Sequence, residues 1–150
     1  MFFMDNNNSG IPVNEEGGKG MISWNDDYLI GIEEIDNQHK KLFGITDTAF
    51  NLLKDGFRID KYDEIVNILE ELKSYAVYHF KSEEEYMLSI GYKKYFSQKV
   101  DHDDFMQKIN GVDLNKVDED QNNYLMSIVE FAVEWISEHI IQKDKLIGKA

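Results

Sequence analysis

The sequence predicts an all-α protein, an antiparallel up-down-up-down four-helix bundle that follows an N-terminal arm. Four segments carry apolar residues at helical spacing, and no segment shows the alternation of a strand. The chain has 150 residues and one proline, which suits a single hydrophobic core built from long, uninterrupted helices. Short connections between amphipathic helices favour antiparallel neighbours. We therefore expect one bundle domain over residues 22–150.

The predicted arm covers residues 1–21. It is mostly polar, contains several glycines, and lacks the basic segment and the long apolar segment of a secretory signal. No segment of the chain approaches the ~20 apolar residues that a membrane-spanning helix needs. We expect a cytoplasmic protein with a flexible arm.

The first two predicted helices both end at glycines. The first runs from about Ile35 to Lys54 and stops before Gly56, because glycine is the usual residue after a last helical turn. The second begins near Asp60, whose negative charge suits the positive end of the helix dipole, and it ends before Gly91.

The last two predicted helices are separated by the least regular connection. The third runs from about Lys93 to Ile109 and breaks at Gly111. The fourth begins in the acidic stretch at 118–120 and continues through Ile140. Residues 110–116 between them are compatible with a loop or with an irregular extension of a helix.

The charge and the absence of cysteine limit the possible partners. The chain has 29 acidic and 16 basic residues and a formal net charge of −13, which repels nucleic acids and anionic lipid surfaces. We therefore expect neither as a partner. Because there is no cysteine, disulfides, thiol chemistry, iron–sulfur clusters and cysteine-ligated zinc are excluded. Any metal must be held by nitrogen and oxygen ligands.

Each predicted helix carries one of the four histidines. They are His39 near the start of the first helix, His79 near the end of the second, His102 in the first half of the third and His139 near the end of the fourth. In an antiparallel bundle these positions lie at the same end. At a rise of 1.5 Å per residue, His79 and His102, 12 residues before and 11 after Gly91, reach nearly the same level. We expect all four side chains to converge.

Two carboxylates strengthen the case for a metal site, although any single histidine of this kind is most often a half-buried structural residue. Glu83 follows His79 by four residues and shares its helical face. Asp144 follows His139 by five residues, which in an α-helix turns it by about 140°, so we expect it to reach across the site rather than chelate beside His139. Imidazole and carboxylate suit iron, manganese or zinc, and bundle cores hold carboxylate-bridged two-metal sites.

The remaining charges near these residues need no functional explanation. We expect a solvated acidic face formed by Glu84, Glu85, Asp101, Asp103 and Asp104, whose negative field would also favour the entry of cations. Lys40 and Lys41 should face solvent.

Five motifs are spread over residues 22–144. They are Trp24 with Tyr28 and Gly31, IDNQHKKLF at 35–43, YHFKSEEEYM at 78–87, GYKKYFSQKVDHDDF at 91–105 and WISEHIIQKD at 135–144. Together these motifs resemble those of the bacterial hemerythrin-like family, whose members are four-helix bundles with a non-heme di-iron centre.

The resemblance implies two iron ions, Fe2+ or Fe3+, bridged by carboxylates and by an oxo or hydroxo group. The implied ligands form three pairs: His39 and His79 on one iron, His102 and His139 on the other, and Glu83 and Asp144 bridging the two.

Position 98 departs from the family pattern. The family has a further histidine one helical turn before His102, and here Gln98 stands at that position. A glutamine can offer its amide oxygen, which is a weaker donor than imidazole, or it can hydrogen-bond a water that takes the vacant place. In either case we expect the second iron to be held less tightly than the first.

The resemblance implies a protein that binds dioxygen reversibly, for storage, delivery or sensing, as a monomer or weak homo-oligomer. The family places the open iron position on the His39/His79 side, and Trp135, Phe80 and Ile141 would form an apolar lining or simply ordinary core. Gln98 leaves two alternatives open. One is an enzyme that reduces peroxide or nitric oxide at an additional open position, and the other is a sensor or interaction domain with a partly degenerate site.

Overall fold

The computed structural model describes residues 22–55, 62–113 and 121–150. These ranges are helical and contain no strand. The elements are α1 (Glu33–Lys54), α2 (Tyr62–Ser89), α3 (Tyr95–Asn110), α4 (Gln121–His139) and α5 (Lys145–Gly148), with a 3-10 turn at Asp26–Tyr28 before α1 and a π-helical turn at Ile140–Asp144 between α4 and α5.

The all-α prediction with four principal helices is confirmed, and the described helix ends lie within two residues of the predicted ones, except that the fourth helix changes to π-helical geometry at Ile140. Five predicted features lie wholly or partly outside the described residues: the arm at 1–21, the stop at Gly56, the helix start near Asp60, the connection at 110–116 beyond residue 113, and the acidic start at 118–120. Within the described ranges, no helix combines the length and the apolar character needed to cross a membrane.

The four principal helices form a closed set of contacts. α1 packs against α2 and α4, and α3 packs against α2 and α4. Each helix buries a stripe of apolar side chains at helical spacing, as the pattern predicted. These stripes include Leu42 and Ala49 of α1, Ile65, Leu69 and Leu72 of α2, Phe105 and Ile109 of α3, and Leu125, Val129, Ala132 and Ile136 of α4.

The end of α2 at Gly91 sets where α3 can begin. Gly91 has φ +64°, a left-handed conformation that glycine adopts without steric cost. The amide of Gly91 donates to the carbonyl of Leu88, and that of Tyr92 donates to the carbonyl of Met87. This pair of bonds is the Schellman arrangement, which satisfies the last carbonyls of a helix and turns the chain back. The predicted end of the second helix is confirmed.

The segment before α1 is tied to the helix by one buried carboxylate. Asp36 accepts hydrogen bonds from the backbone amides of Ile30 at 2.8 Å and Gly31 at 3.2 Å. Trp24 and Tyr28 then pack on Phe43, with ring centroids 5.9 and 4.8 Å from it. These contacts close one flank of α1 and leave its histidine pointing into the protein.

Candidate metal centre

Six ionisable side chains lie together inside the four helices, where apolar residues would be expected. They are His39, His79, Glu83, His102, His139 and Asp144, and their exposed fractions are between 1 and 7%. Carboxylates such as those of Glu83 and Asp144 are almost never this buried unless they are paired or bind a metal. The predicted convergence of one histidine from each principal helix is therefore present in the structure.

The six residues form two groups that share both carboxylates. In one group His39 and His79 face Glu83 and Asp144, and we call it the first subsite. In the other, His102 and His139 face the same two carboxylates, and we call it the second subsite. Within each group the possible ligand atoms lie within 4.8 Å of one another. This is the pairing that the sequence motifs implied.

Glu83 directs one oxygen to each subsite. Its Oε2 lies 3.6 Å from Nε2 of His39 and 3.8 Å from Nε2 of His79. Its Oε1 lies 3.1 Å from Nε2 of His102. Because the two oxygens point to different histidine pairs, this carboxylate has the geometry of a bridge.

Asp144 is divided between the subsites in the same way. Its Oδ2 lies 3.1 Å from Nε2 of His39, and its Oδ1 lies 3.2 Å from Nε2 of His139. Asp144 reaches across the site to His39, as expected. The expectation that it would not also lie beside His139 is wrong. The intervening turn is π-helical rather than α-helical, and that geometry brings residues five positions apart close to one face.

The atoms facing the centre lack protein hydrogen-bond partners within the described part of the chain. These atoms are Nε2 of His39, His102 and His139 and both oxygens of Glu83. Buried polar atoms without partners cost free energy, so such a cluster indicates a binding site for a group that would pair with them. A pair of cations would satisfy all of them together, and imidazole with carboxylate is a donor set that suits iron. The residues present therefore fit the implied metal.

A second layer of side chains orients two of the imidazoles. Nδ1 of His102 lies 2.8 Å from Oε2 of Glu84, and Nδ1 of His79 lies 2.8 Å from Oε1 of Gln38. Both partners are acceptors, so each ring carries its hydrogen on Nδ1 and presents the Nε2 lone pair to the centre. At His102 that lone pair faces Oε1 of Glu83, an arrangement that is favourable only with a cation or proton between them.

These contacts change part of the sequence interpretation. The prediction that Glu84 belongs to a solvated acidic face is wrong, because its side chain is only 14% exposed and binds His102. Asp101 is partly buried and pairs with Lys143 at 2.7 Å, whereas Glu85, Asp103 and Asp104 are exposed as expected. Gln38 was missed. It adjoins His39 in the sequence, but nothing in the pattern shows that its side chain contacts His79.

The pKa values of His39, His79 and His102 differ in direction in the metal-free protein. Burial lowers the pKa of His39, but Asp144 and Glu83 outweigh it and raise the pKa to about 9. The pKa of His102 is likewise raised to about 9, because Glu83 and Glu84 outweigh its burial. Burial dominates at His79 and lowers its pKa to about 4. Without metal, His39 and His102 therefore keep their protons at neutral pH and pair as cations with the carboxylates.

The two carboxylates keep low pKa values despite their burial. Burial raises the pKa of Asp144, but His139 and His39 hold it well below its usual range. Burial and Asp144 raise the pKa of Glu83, while His79, His102 and His39 bring it below its ordinary value. Both groups are therefore negatively charged at neutral pH, as bridging ligands must be.

Aromatic rings cover the second subsite. Phe80 stacks on His102 with centroids 4.0 Å apart, and Trp135 stacks on His139 at 4.5 Å. These contacts fit the apolar lining that the resemblance implied for the two aromatic residues. Ile141 does not share this position, because it is 44% exposed, so its predicted place in the lining is wrong.

Gln98 lies beside the second subsite and is 1% exposed. Its Nε2 donates a hydrogen bond of 3.1 Å to Oδ1 of Asp144. Its Oε1 has no hydrogen-bond partner among the described residues. In this arrangement the amide supports the bridging carboxylate, and its oxygen does not point to a protein donor.

Comparisons with known proteins agree with this geometry. Residues 30–150 match the hemerythrin HHE cation binding domain. A bacteriohemerythrin from Clostridium acetobutylicum is 46% identical over 125 residues, which are 83% of this chain and 97% of the relative. A bacteriohemerythrin from Methylococcus capsulatus is 36% identical over 75% of this chain and 82% of its own length, and a hemerythrin-like protein from Naegleria gruberi is 27% identical over 82 and 87%. This chain therefore belongs to the hemerythrin family.

Proposed function

We propose that this protein binds dioxygen reversibly at a centre of two iron ions, one in each subsite. The observation that carries the proposal is the sharing of Glu83 and Asp144. Each carboxylate directs one oxygen to each histidine pair, so the protein offers two adjacent cation positions with common negative ligands. A single cation would leave one histidine pair without a partner.

The side chains around the centre give the proposal its chemical basis. When bound, two ferrous ions supply the electrons that a dioxygen molecule accepts and later returns. Glu84 and Gln38 fix the hydrogens of His102 and His79 on Nδ1, which keeps both Nε2 atoms available. Phe80 and Trp135 place apolar rings against His102 and His139, and an apolar surface on that side of the centre favours reversible binding over side reactions.

The proposal includes an antiparallel up-down-up-down order of the principal helices. His39 lies near the start of α1, whereas His79 lies near the end of α2. The same alternation holds for His102 in the first half of α3 and His139 at the end of α4. Convergence of these four side chains is most simply explained by helices that alternate in direction.

The direct test is anaerobic loading of metal-free protein with Fe(II), followed by exposure to dioxygen and its removal. We expect two irons per chain and a visible absorption change that appears with dioxygen and disappears on removal. Asp144→Asn should lose iron, and the exposed Asp47→Asn on α1 is the matched control. One iron per chain, or a change that never reverses, would contradict the proposal.

A second candidate function is the reduction of peroxide or nitric oxide. It is motivated by Gln98, because replacing an imidazole by an amide leaves the second subsite more open to a reacting ligand. Consumption of either compound by wild type, reduced in Gln98→His, would favour turnover. A single iron per chain that rises to two in Gln98→His would instead favour a sensor with a partly degenerate site.

A further inference from the structure

We propose that the second subsite holds one exchangeable small ligand in front of Gln98. This ligand is a water molecule, and a small anion can replace it. The ligand enters through a pocket of about 360 Å³ that Gln98 helps to line. The inference rests on the proposed function, because a metal in the second subsite must hold the ligand. It adds a second ligand position to the one that the family resemblance places at the first subsite.

The donor sets of the two subsites show why a position is available. The first subsite offers the nitrogens of His39 and His79, and the second offers those of His102 and His139. Each also receives one oxygen from each bridging carboxylate, so two nitrogens and two oxygens give both subsites four protein donors. A donor set of histidine and carboxylate leaves open positions on non-heme iron. With Gln98 in place, the two subsites are equally incomplete.

The orientation of the Gln98 amide favours an exogenous ligand. Its Nε2 donates to Oδ1 of Asp144, and the same oxygen lies 3.2 Å from Nε2 of His139. This bond holds the side chain beside the second subsite as a hydrogen-bonding group. Its Oε1 remains unpartnered although the residue is 1% exposed. A buried acceptor left in this state is unfavourable, and a water bound in the second subsite would donate to it.

The pocket on the other side of Gln98 provides the route. Besides Gln98, it is lined by Tyr92, Lys94, Ser97, Gln142, Lys143 and Leu146. Gln98 therefore contacts both this pocket and Asp144 of the centre, and a ligand that moves from one to the other passes its side chain. Two of the lining residues, Gln142 and Lys143, belong to the π-helical turn that carries Asp144. The same turn therefore contributes Asp144 to the centre and forms one wall of the pocket.

The positive side chains of the pocket favour a small anion as the ligand. The charged lining residues of the pocket are both lysines, although the chain as a whole carries a formal net charge of −13. Lys143 pairs with Asp101 at 2.7 Å and donates to Ser97 at 3.3 Å, which fixes its ammonium group at the pocket wall and offsets part of its charge. Lys94 adds a second positive charge. A pocket of this kind raises the local concentration of small anions.

The test counts azide ions on the fully loaded, full-length protein. Wild type is loaded with two irons per chain, oxidised with ferricyanide, and titrated with azide by calorimetry and visible absorption. We expect two azides per chain in wild type and one in Gln98→His, because an imidazole takes the open position. Gln98→Leu should keep two azides but bind the second several-fold more weakly, since it removes the amide and not the open position.

The lysines provide a test of the route that leaves the centre unchanged. Lys94→Met should weaken the second azide several-fold and leave the first unaltered. Lys41→Met is the matched control, because Lys41 lines a separate pocket between α1 and α2 and pairs with Glu71 on the surface. A similar effect of both substitutions would overturn the assigned route.

The number of irons per chain distinguishes a failure of this inference from a failure of the proposed function. Two irons per chain with only one azide in wild type would overturn this inference and leave the proposed function standing. Fewer than two irons per chain would overturn both. Two azides in both wild type and Gln98→His, with the variant folded by circular dichroism, would show that the second ligand does not bind in front of residue 98, and would also overturn the inference.

Discussion

Glu84 accepts a hydrogen bond from His102 across the contact between α2 and α3, with 2.8 Å between Oε2 and Nδ1. The bond fixes the ring hydrogen on Nδ1 and leaves Nε2 directed at Glu83. Consecutive glutamates of α2 therefore serve one imidazole from opposite sides. Glu83 faces Nε2 of His102 in the proposed metal centre, and Glu84 sets the orientation of the ring.

We expect Glu84→Ala to weaken metal binding at the second subsite by about 10- to 100-fold, because the loss of an outer hydrogen bond to a metal-binding histidine has effects of this size. Glu84→Gln keeps an acceptor and should have a smaller effect. The measurement is a titration of metal-free protein with Co(II), followed by absorption. The exposed Glu85→Ala is the control, and an equal loss in both alanine variants would show a general effect of acidic charge.

Gln38 should play the corresponding part at the first subsite. Its Oε1 accepts from Nδ1 of His79, so Gln38→Leu removes the acceptor and should reduce affinity at this subsite by about 10- to 100-fold. The same Co(II) titration measures the loss. Asn37→Leu alters a neighbouring, exposed amide and should bind as wild type. If Gln38→Leu matched wild type, the hydrogen bond would have no part in orienting His79.

The sequence predicted which side chains meet in the centre better than it predicted their surroundings. Apolar periodicity places His39, His79 and His102 on buried helical faces, and the rise per residue places them at one level once the helices are assumed to be antiparallel. The side chains that contact these histidines from neighbouring helices depend on how the helices pack. Glu84 is about 100° around α2 from Glu83, and periodicity shows this rotation without showing that α3 brings His102 to it.

The π-helical turn between His139 and Asp144 was not predictable for a different reason. It inserts one residue into a helical turn. The apolar pattern of a five-residue segment is too short to distinguish the 3.6 residues per turn of an α-helix from the wider turn of a π-helix. The assumption of α-helical geometry placed the two side chains about 140° apart. In the structure they are in contact. The spacing therefore identified Asp144 as a member of the cluster but gave the wrong orientation relative to His139.

Metal-free protein should be most stable near pH 6.5. His39 and His102 have folded-state pKa values of about 9, above the ordinary value of 6.5. Their stabilisation is fully present below pH 6.5 and is lost as the pH rises to about 9. His79 has a lowered pKa of about 4, so the unfolded chain binds its proton more readily, and stability falls as the pH drops from 6.5 to 4. The low pKa values of Glu83 and Asp144 add to this acid loss.

The decline above pH 6.5 should disappear when metal is bound, because the metal takes the place of the protons on the two imidazoles. Urea unfolding at pH 6.5, 8 and 9, with and without a chelator, measures the difference. In the metal-free protein, His102→Gln should remove about half of the alkaline decline. A decline of equal size in loaded and metal-free wild type would contradict the assignment to these two histidines.

Two glycines should respond to alanine with opposite signs. Gly91 has φ +64° at the end of α2, and an added Cβ would meet no atom within 4 Å. Gly91→Ala should therefore reduce the free energy of unfolding by about 1–2 kcal/mol through backbone conformation alone. Gly44 lies within α1, is exposed, and is equally open to a Cβ. Gly44→Ala should raise the free energy of unfolding by up to about 1 kcal/mol, because alanine favours helix.

Urea unfolding of the metal-free protein measures both glycine variants under one condition. Gly91→Asn should lose less stability than Gly91→Ala, because asparagine tolerates the left-handed conformation better than alanine does. Loss of stability in both alanine variants would indicate a steric cause that the open surroundings of the two glycines do not contain. Opposite signs would show that the end of α2 depends on left-handed backbone at Gly91, and with it the direction in which α3 carries His102 and Gln98 back to the centre.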